Sequence, residues 1–248
     1  MSIDARPTVS EPDDDPYLWL EDIDGTQALA WVDTQNKATL AQFSTSATTR
    51  DRDMLAAILD RADNIPYVTR RGSHLYNFWK DATNPRGLWR RTTLESFRST
   101  APEWEILLDV DDLARRESED WIWHGAATLP KTHDRAILSL SRGGSDAAVL
   151  REFDVATRAF VSGGFHLPEA KGGADWLDKD TLVVSSAYGG EAMTTKSGYS
   201  RTVRLWRRGS DIANAPILHE TTVDSMGLWA SIDRTQAGAP IWFIEHPG

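Results

Sequence analysis

The chain has 248 residues, 40% of them hydrophobic, with 11 Trp, no Cys and a formal net charge of −10. That length suits one large domain or two small ones, and the missing cysteines exclude disulfides, thiolate catalysis and thiolate-bound metals. The acidic balance without a basic stripe argues against nucleic acid; with no apolar leader and no run near the ~18 apolar residues of a membrane span, a soluble, cytoplasmic, membrane-free protein is expected.

Residues 1–14 are polar and acidic and carry Pro7 and Pro12, which reads as a flexible tail. Asp15-Pro16-Tyr17-Leu18-Trp19-Leu20-Glu21-Asp22 is unusually apolar for a position so near a terminus and must dock on something. Asp24 and Gln27 are spaced for a capping box, and Leu29, Val32, Leu40 and Phe43 recur at helical spacing behind them. A second helix is expected after Thr48 or Thr49, with Met54, Leu55, Ile58 and Leu59 on one stripe. Asn64-Ile65-Pro66 ends it. Residues 15–66 are therefore expected to form a helical arm.

From residue 67 onward the pattern becomes one of short strands divided by Gly, Pro and Asp turns. Strands are expected at 74–80, 88–92, 104–110, 136–140, 147–153, 181–185, 203–207, 216–219, 228–232 and 241–244. Trp121 and Trp123, two apart, point to one face of a further strand. A short helical turn near 111–116 is the one exception. Asp154–Arg158 reads as a strand–turn–strand corner, and Leu108-Asp109-Val110-Asp111 reads similarly. Such corners recur in propeller blades, whose period of roughly 40–50 residues gives about four blades over 67–248. From pattern alone, a pair of β-sandwiches fits nearly as well.

No chemistry is evident in the motifs. Gly143-Gly144-Ser145-Asp146 comes nearest to the Gly-x-Ser-x-Gly of a nucleophile elbow, but it lacks the second glycine and leads into a strand, so a β-turn is expected. His74, His124, His133, His166, His219 and His246 form no His-Glu-x-x-His pattern. His133-Asp134 are adjacent and read as a surface turn. Asp109, Asp111 and Asp112 lack the glycine bend and distal Glu of a calcium loop, which leaves capping or solvation. Trp79, Trp89, Trp104, Trp121 and Trp123 could form a ligand platform or pack between blades; their places within strand patterns favour packing.

The opening Asp15–Asp22 string, with Trp31, Val32 and Asn36, resembles the N-terminal signature of the prolyl oligopeptidase family of serine peptidases. Arg71–Phe78 resembles a first blade strand, Trp104–Asp109 a leucine–aspartate strand, and Leu140–Asp154 a hairpin closing an early blade. Gly173–Leu177 and Ser197–Arg201 resemble later blade edges. The resemblance runs from about residue 15 to 245. It implies a seven-bladed propeller that filters short proline-containing peptides toward a C-terminal α/β-hydrolase domain carrying a Ser-Asp-His triad. The expected fold is mainly β, half of such a ring behind a helical arm, with the hydrolase partner outside these residues. No catalytic, cofactor-binding or metal-binding residue is carried over, and no cofactor is expected. Two other readings stay open: a free-standing peptide- or protein-binding module, and a carbohydrate-binding β protein suggested by the Trp content alone.

Overall fold

The computed structural model describes residues 15–22, 24–61 and 63–247; the tail expected over 1–14 lies outside the described residues. The chain divides into two compact units, Met1–Arg61 and Ala62–Gly248.

The first unit is helical. A single 3-10 turn at Leu18–Glu21 precedes helix α1 (Thr26–Phe43) and helix α2 (Ser46–Leu59). Pro16 and Trp19 shape the entry: the Trp19 indole N–H donates to the Pro16 carbonyl at 3.1 Å, and its ring meets Trp31 of α1 edge-on at 6.4 Å. The capping box expected from Asp24 and Gln27 does not form. Gly25 takes the cap position with no side-chain bond, because its own N–H is drawn back to the Asp22 carbonyl at 3.0 Å in a tight turn. A side chain there would collide with the Asp22 carboxylate. Helix α2 starts earlier than expected because the Thr45 hydroxyl accepts from the Thr48 N–H at 3.2 Å and supplies the cap.

The helical periodicity read from the sequence is present, and within this unit its apolar stripe is left largely exposed. Ala28 is the one buried residue among the described positions of α1 and α2. Leu29, Leu40, Phe43, Met54, Leu55 and Ile58 are each at least 51% exposed.

The second unit is a series of antiparallel meanders. The first sheet runs β1 (Thr69–Arg71), β2 (His74–Trp79), β3 (Leu88–Thr93) and β4 (Glu105–Asp109), with a one-turn helix α3 (Leu94–Phe97) before β4. Helix α4 (Val110–Glu117) leads to the second sheet: β5 (Trp121–Thr128), β6 (Arg135–Arg142), β7 (Ala148–Asp154), β8 (Ala159–Phe160) and β9 (His166–Ala170). Both β8 and β9 pair with β7, so they are two pieces of one interrupted outer strand. The third sheet is β10 (Gly172–Asp178), β11 (Thr181–Ser186), β12 (Thr202–Arg207) and β13 (Ile217–Glu220). A hairpin, β14 (Gly227–Ile232) with β15 (Ile241–His246), begins a fourth.

The first strands open at Thr69, Trp121, Gly172 and Gly227, a repeat of about 50 residues. Strand β10 lies against both β5 and β14, so neighbouring sheets meet at their first strands. These are three propeller blades and the start of another. The sandwich alternative is set aside because the sheets are meanders of consecutive strands, with no strand crossing to another sheet. Two local expectations are corrected. Leu108–Asp111 runs from a strand into α4 rather than around a hairpin, because Asp109 caps that helix through a 2.9 Å bond from the Asp112 N–H. Leu140–Asp154 is the central β6–β7 hairpin of its blade, not a closing one.

Burial on both sides explains the composition of the strands. In β6, Leu138 and Leu140 face the core shared with the first blade, whereas Ile137 joins the core shared with the third. In β11, Leu182 and Val184 face the second blade and Val183 faces the hairpin. Such strands read as apolar runs rather than alternations. Trp176 is fully buried, and its indole N–H donates across the seam to the Ala127 carbonyl of β5 at 2.8 Å. Replacing Trp176 with Ala is expected to lower unfolding stability by about 3–5 kcal/mol. Urea denaturation followed by far-UV circular dichroism measures it.

Candidate functional site

The described blades meet at three seams, and each has its own chemistry. The first is aromatic. Trp123 of β5 stacks on Phe78 of β2 at 4.9 Å and 8°, and Trp89 of β3 packs against both Trp123 at 5.5 Å and Phe153 at 5.8 Å. Arg71 adds a 2.7 Å bond to the Thr128 hydroxyl.

The second seam is ionic at its rim. Glu152 of β7 has a side chain only 1% exposed. Arg208 grips it with two parallel bonds of 2.7 and 3.0 Å. The Phe165 N–H donates to it at 2.9 Å, and Arg135 stands 3.7 Å away. Arg208 also lies over the Phe165 ring at 4.6 Å and bonds Asp180 at 3.0 Å. The Glu152 carboxylate is the main reason the Arg208 guanidinium is held above its ordinary pKa.

At the third seam Arg234 reaches back to Asp175 at 2.8 Å and to the Trp176 carbonyl. Leu228 and Ile232 pack there against Val183 and Val203. A cavity of about 210 Å³ opens between β10–β11 and β14, walled by Trp229. A larger hollow, about 540 Å³, lies at the rim of the second blade beside the break between β8 and β9. Its arginines are committed: Arg142 to Glu119 and Glu169, and Arg151 to Glu117.

The residues weighed for chemistry resolve individually. Ser145 sits in the β6–β7 turn and accepts from the Ala147 N–H at 3.0 Å. His133 lies in a left-handed turn, φ 54°, and its Nδ1 is buried without a hydrogen-bond partner among the described residues. Asp111 accepts from the N–H groups of Arg86 and Gly87, and Asp112 pairs with Arg115 and Arg116. Among the described residues no group of three His, Asp or Glu side chains is arranged to hold a metal ion. The five tryptophans divide. Trp89, Trp121 and Trp123 belong to the core of the first seam. Trp79 and Trp104 instead sandwich Arg90 on the opposite face of the first blade, at 4.5 and 4.2 Å. Burial there pushes the Arg90 guanidinium down to about 10.

Residues 8–242 match the family described as the prolyl oligopeptidase N-terminal beta-propeller domain. The chain belongs to the prolyl oligopeptidase family. It is 39% identical over 219 residues to an uncharacterized peptidase of Sinorhizobium fredii, covering 86% of this chain and 30% of that protein. A second uncharacterized peptidase, from Rickettsia prowazekii, is 30% identical over 212 residues, covering 82% of this chain and 29% of that protein. Among solved structures, a post-proline cleaving enzyme from Rickettsia typhi superposes with a TM-score of 0.80 at 27% identity, over 90% of this chain and 34% of that one. Oligopeptidase B from Leishmania major, at 15% identity and a TM-score of 0.66 over 88% of this chain and 30% of that one, shares the fold. The chain thus spans about 30% of the length of the curated relatives it matches.

One pair in this chain escaped the motif search: the Ser141 hydroxyl lies 2.8 Å from His124 Nε2. The β-bulge between Trp123 and Gly125 sets His124 out of register and turns its ring toward β6. Ser141 is wholly buried in mid-strand and lacks the exposed strand-to-helix turn a nucleophile needs. The pair is structural.

Two outcomes follow from the electrostatics. Arg208→Met leaves the Glu152 carboxylate buried without its bidentate partner and is expected to cost about 3 kcal/mol. The double variant Arg208→Met/Glu152→Gln should recover part of the loss in the same denaturation assay. Glu105 is held below the usual carboxylate range, first by the hydrogen bond from Arg91, with burial opposing and the Arg91, Arg158 and His74 charges adding. Its stabilising contribution is therefore complete above the unfolded value of about 4.3 and is lost as pH falls through the lower folded value. Solvent screening keeps it small. Arg91→Gln should lose less stability than the parent chain between about pH 5 and pH 3, measured by urea titrations at each pH.

Proposed function

We propose that this chain is the N-terminal arm and early blades of a serine peptidase that cleaves short proline-containing peptides. In this reading, residues 15–66 form the arm, residues 67–248 form incomplete propeller blades that gate access, and an α/β-hydrolase domain outside these residues supplies the chemistry. The observation that carries it is the match of residues 8–242 to the prolyl oligopeptidase N-terminal beta-propeller domain, and the apolar stripe of α1 and α2 agrees with it. Leu29, Leu40, Phe43, Met54, Leu55 and Ile58 are all more exposed than buried, and stable monomers keep such patches small. An apolar helix stripe of this kind needs a surface packed against it. The likeness to a post-proline cleaving enzyme, of which the chain spans 34%, supports the class of the hydrolase domain and of its substrate.

No residue of the 248 is assigned to catalysis. Short peptides are the substrate class because a ring of blades excludes folded chains on size. A cytoplasmic setting suits the absence of cysteine.

The 248-residue chain alone is expected to release no product from a chromogenic proline-containing peptide, and to bind the dye ANS strongly. Turnover that a serine-directed inhibitor abolishes would place a nucleophile within these residues and overturn the proposal. Weak ANS fluorescence would remove the uncovered-stripe argument.

A further inference from the structure

The face of the first blade turned away from the second is built around one cation. Arg90 of β3 lies in register between Asn77 of β2 and Ile106 of β4, and its guanidinium is held between the Trp79 and Trp104 rings at 4.5 and 4.2 Å. Its Nε donates to Asn77 Oδ1 at 2.8 Å, and Asn77 is itself tied to the Tyr67 carbonyl at 2.9 Å. A planar group so fixed by two rings and by Nε has one direction left, the fork of Nη1 and Nη2. That fork makes no hydrogen bond or ion pair among the described residues. Asp81 offsets the effect of burial on Arg90 only in part, because its oxygens are taken by the Trp79 indole N–H at 2.9 Å and the Asn84 N–H at 2.8 Å.

Elsewhere the chain completes this arrangement. Arg142 lies over Trp121 and binds Glu119 and Glu169. Arg151 lies over Phe160 and binds Glu117. Arg71, over Tyr76, gives its Nε to the Thr128 hydroxyl across the first seam. Each seam also joins an arginine of one blade to a carboxylate of its neighbour: Arg86 to Asp120 at the first, Arg208 to Glu152 at the second, and Arg234 to Asp175 at the third. The outer face of the first blade has the arginine and the rings without the acid.

We propose that this face is an interaction surface for a β-sheet that presents an aspartate or glutamate side chain among apolar ones, the carboxylate being gripped by the Arg90 fork. The fork matches a planar carboxylate and binds it with two parallel bonds. The acid's neighbours are apolar because the face around Arg90 is: Leu75 and Leu88 are buried in it, and Ile106 is 45% exposed. A sheet without an acid would cover the guanidinium and leave it uncompensated. The β14–β15 hairpin of a second copy does not supply the acid. Glu245, the one acidic residue within its strands, already accepts from Ser225 at 3.2 Å. The inference goes beyond the peptidase reading and does not depend on it.

The test follows the Arg90 Nε–H and the Trp79 and Trp104 indole N–H signals of the 248-residue chain by ¹⁵N NMR. The probes are acetyl-Val-Glu-Val amide, its neutral counterpart acetyl-Val-Gln-Val amide, and inorganic phosphate. The acidic peptide is expected to shift all three signals saturably and to bind about tenfold more tightly than the neutral one. Arg90→Gln should erase that preference, and Arg90→Lys, which keeps a charge and loses the fork, should lose most of it. Equal binding of the two peptides, phosphate binding as tight as the acid, or a preference that survives in Arg90→Gln would each sink the surface. If Arg90→Gln does not fold, Arg90→Lys carries the test, and an undiminished preference there is equally fatal. A dimer that sedimentation detects in the parent chain and not in the Arg90 variants would put a second copy on the face and overturn the acidic-sheet partner. Inhibitor-sensitive turnover by these residues would end the peptidase reading and leave every one of these results standing.

Discussion

The second and third blades of this chain are apolar on both faces, and that constraint governs the rest. A sheet with Leu138 on one side and Ile137 on the other cannot rest with either face in water. It needs a neighbour on each side, and the neighbour has the same need. Radial repetition is the economical solution, because every added blade covers one face and presents another. The second and third blades meet the condition among the described residues. Among the described residues, the first blade and the β14–β15 hairpin each have one face on which no other sheet packs, and they respond differently. The first blade seals its outer face locally, with Arg90 held between Trp79 and Trp104. The hairpin leaves Trp242 57% and Ile244 45% exposed.

The seams also differ in what they specify. Stacked aromatics such as Phe78 and Trp123 supply area and tolerate small slides. The Glu152–Arg208 clasp tolerates none, because a buried carboxylate displaced from its guanidinium is an uncompensated charge. Placing an aromatic seam beside an ionic one gives the blades adhesion at the first and register at the second. The Trp176 indole, bonded to a backbone carbonyl of the neighbouring blade, does some of each.

Much of the fold was legible because its signals are local. The strands at β2, β3, β6, β7 and β11 coincide with apolar runs bounded by turn residues, and the two helices with a 3.6-residue stripe. What was not legible depends on partners distant in sequence or on backbone shape. The capping box at Asp24 and Gln27 failed because a preceding turn had already claimed the Gly25 N–H. The early start of α2 turned on one hydroxyl, that of Thr45. The His124–Ser141 contact needed a bulge that no alternation pattern reveals. The five tryptophans could not be sorted from sequence, because strand periodicity says which face a ring occupies and not what lies opposite. The seam cavity was invisible for the same reason: Gly173 and Ser185 are ordinary strand residues until β14 is set beside them.

That last case bears on how a glycine in a sheet should be read. A glycine within a strand gives up roughly 0.5–1 kcal/mol relative to alanine, and usually the backbone explains it. Gly172 is such a position. Gly173, its neighbour and the register partner of Ser185, has no such reason, because a Cβ there meets nothing within 4 Å. The first and second seams show that this chain can fill such a gap, with Trp123 or Trp176. The third seam has Trp229 as one wall and leaves about 210 Å³ unfilled.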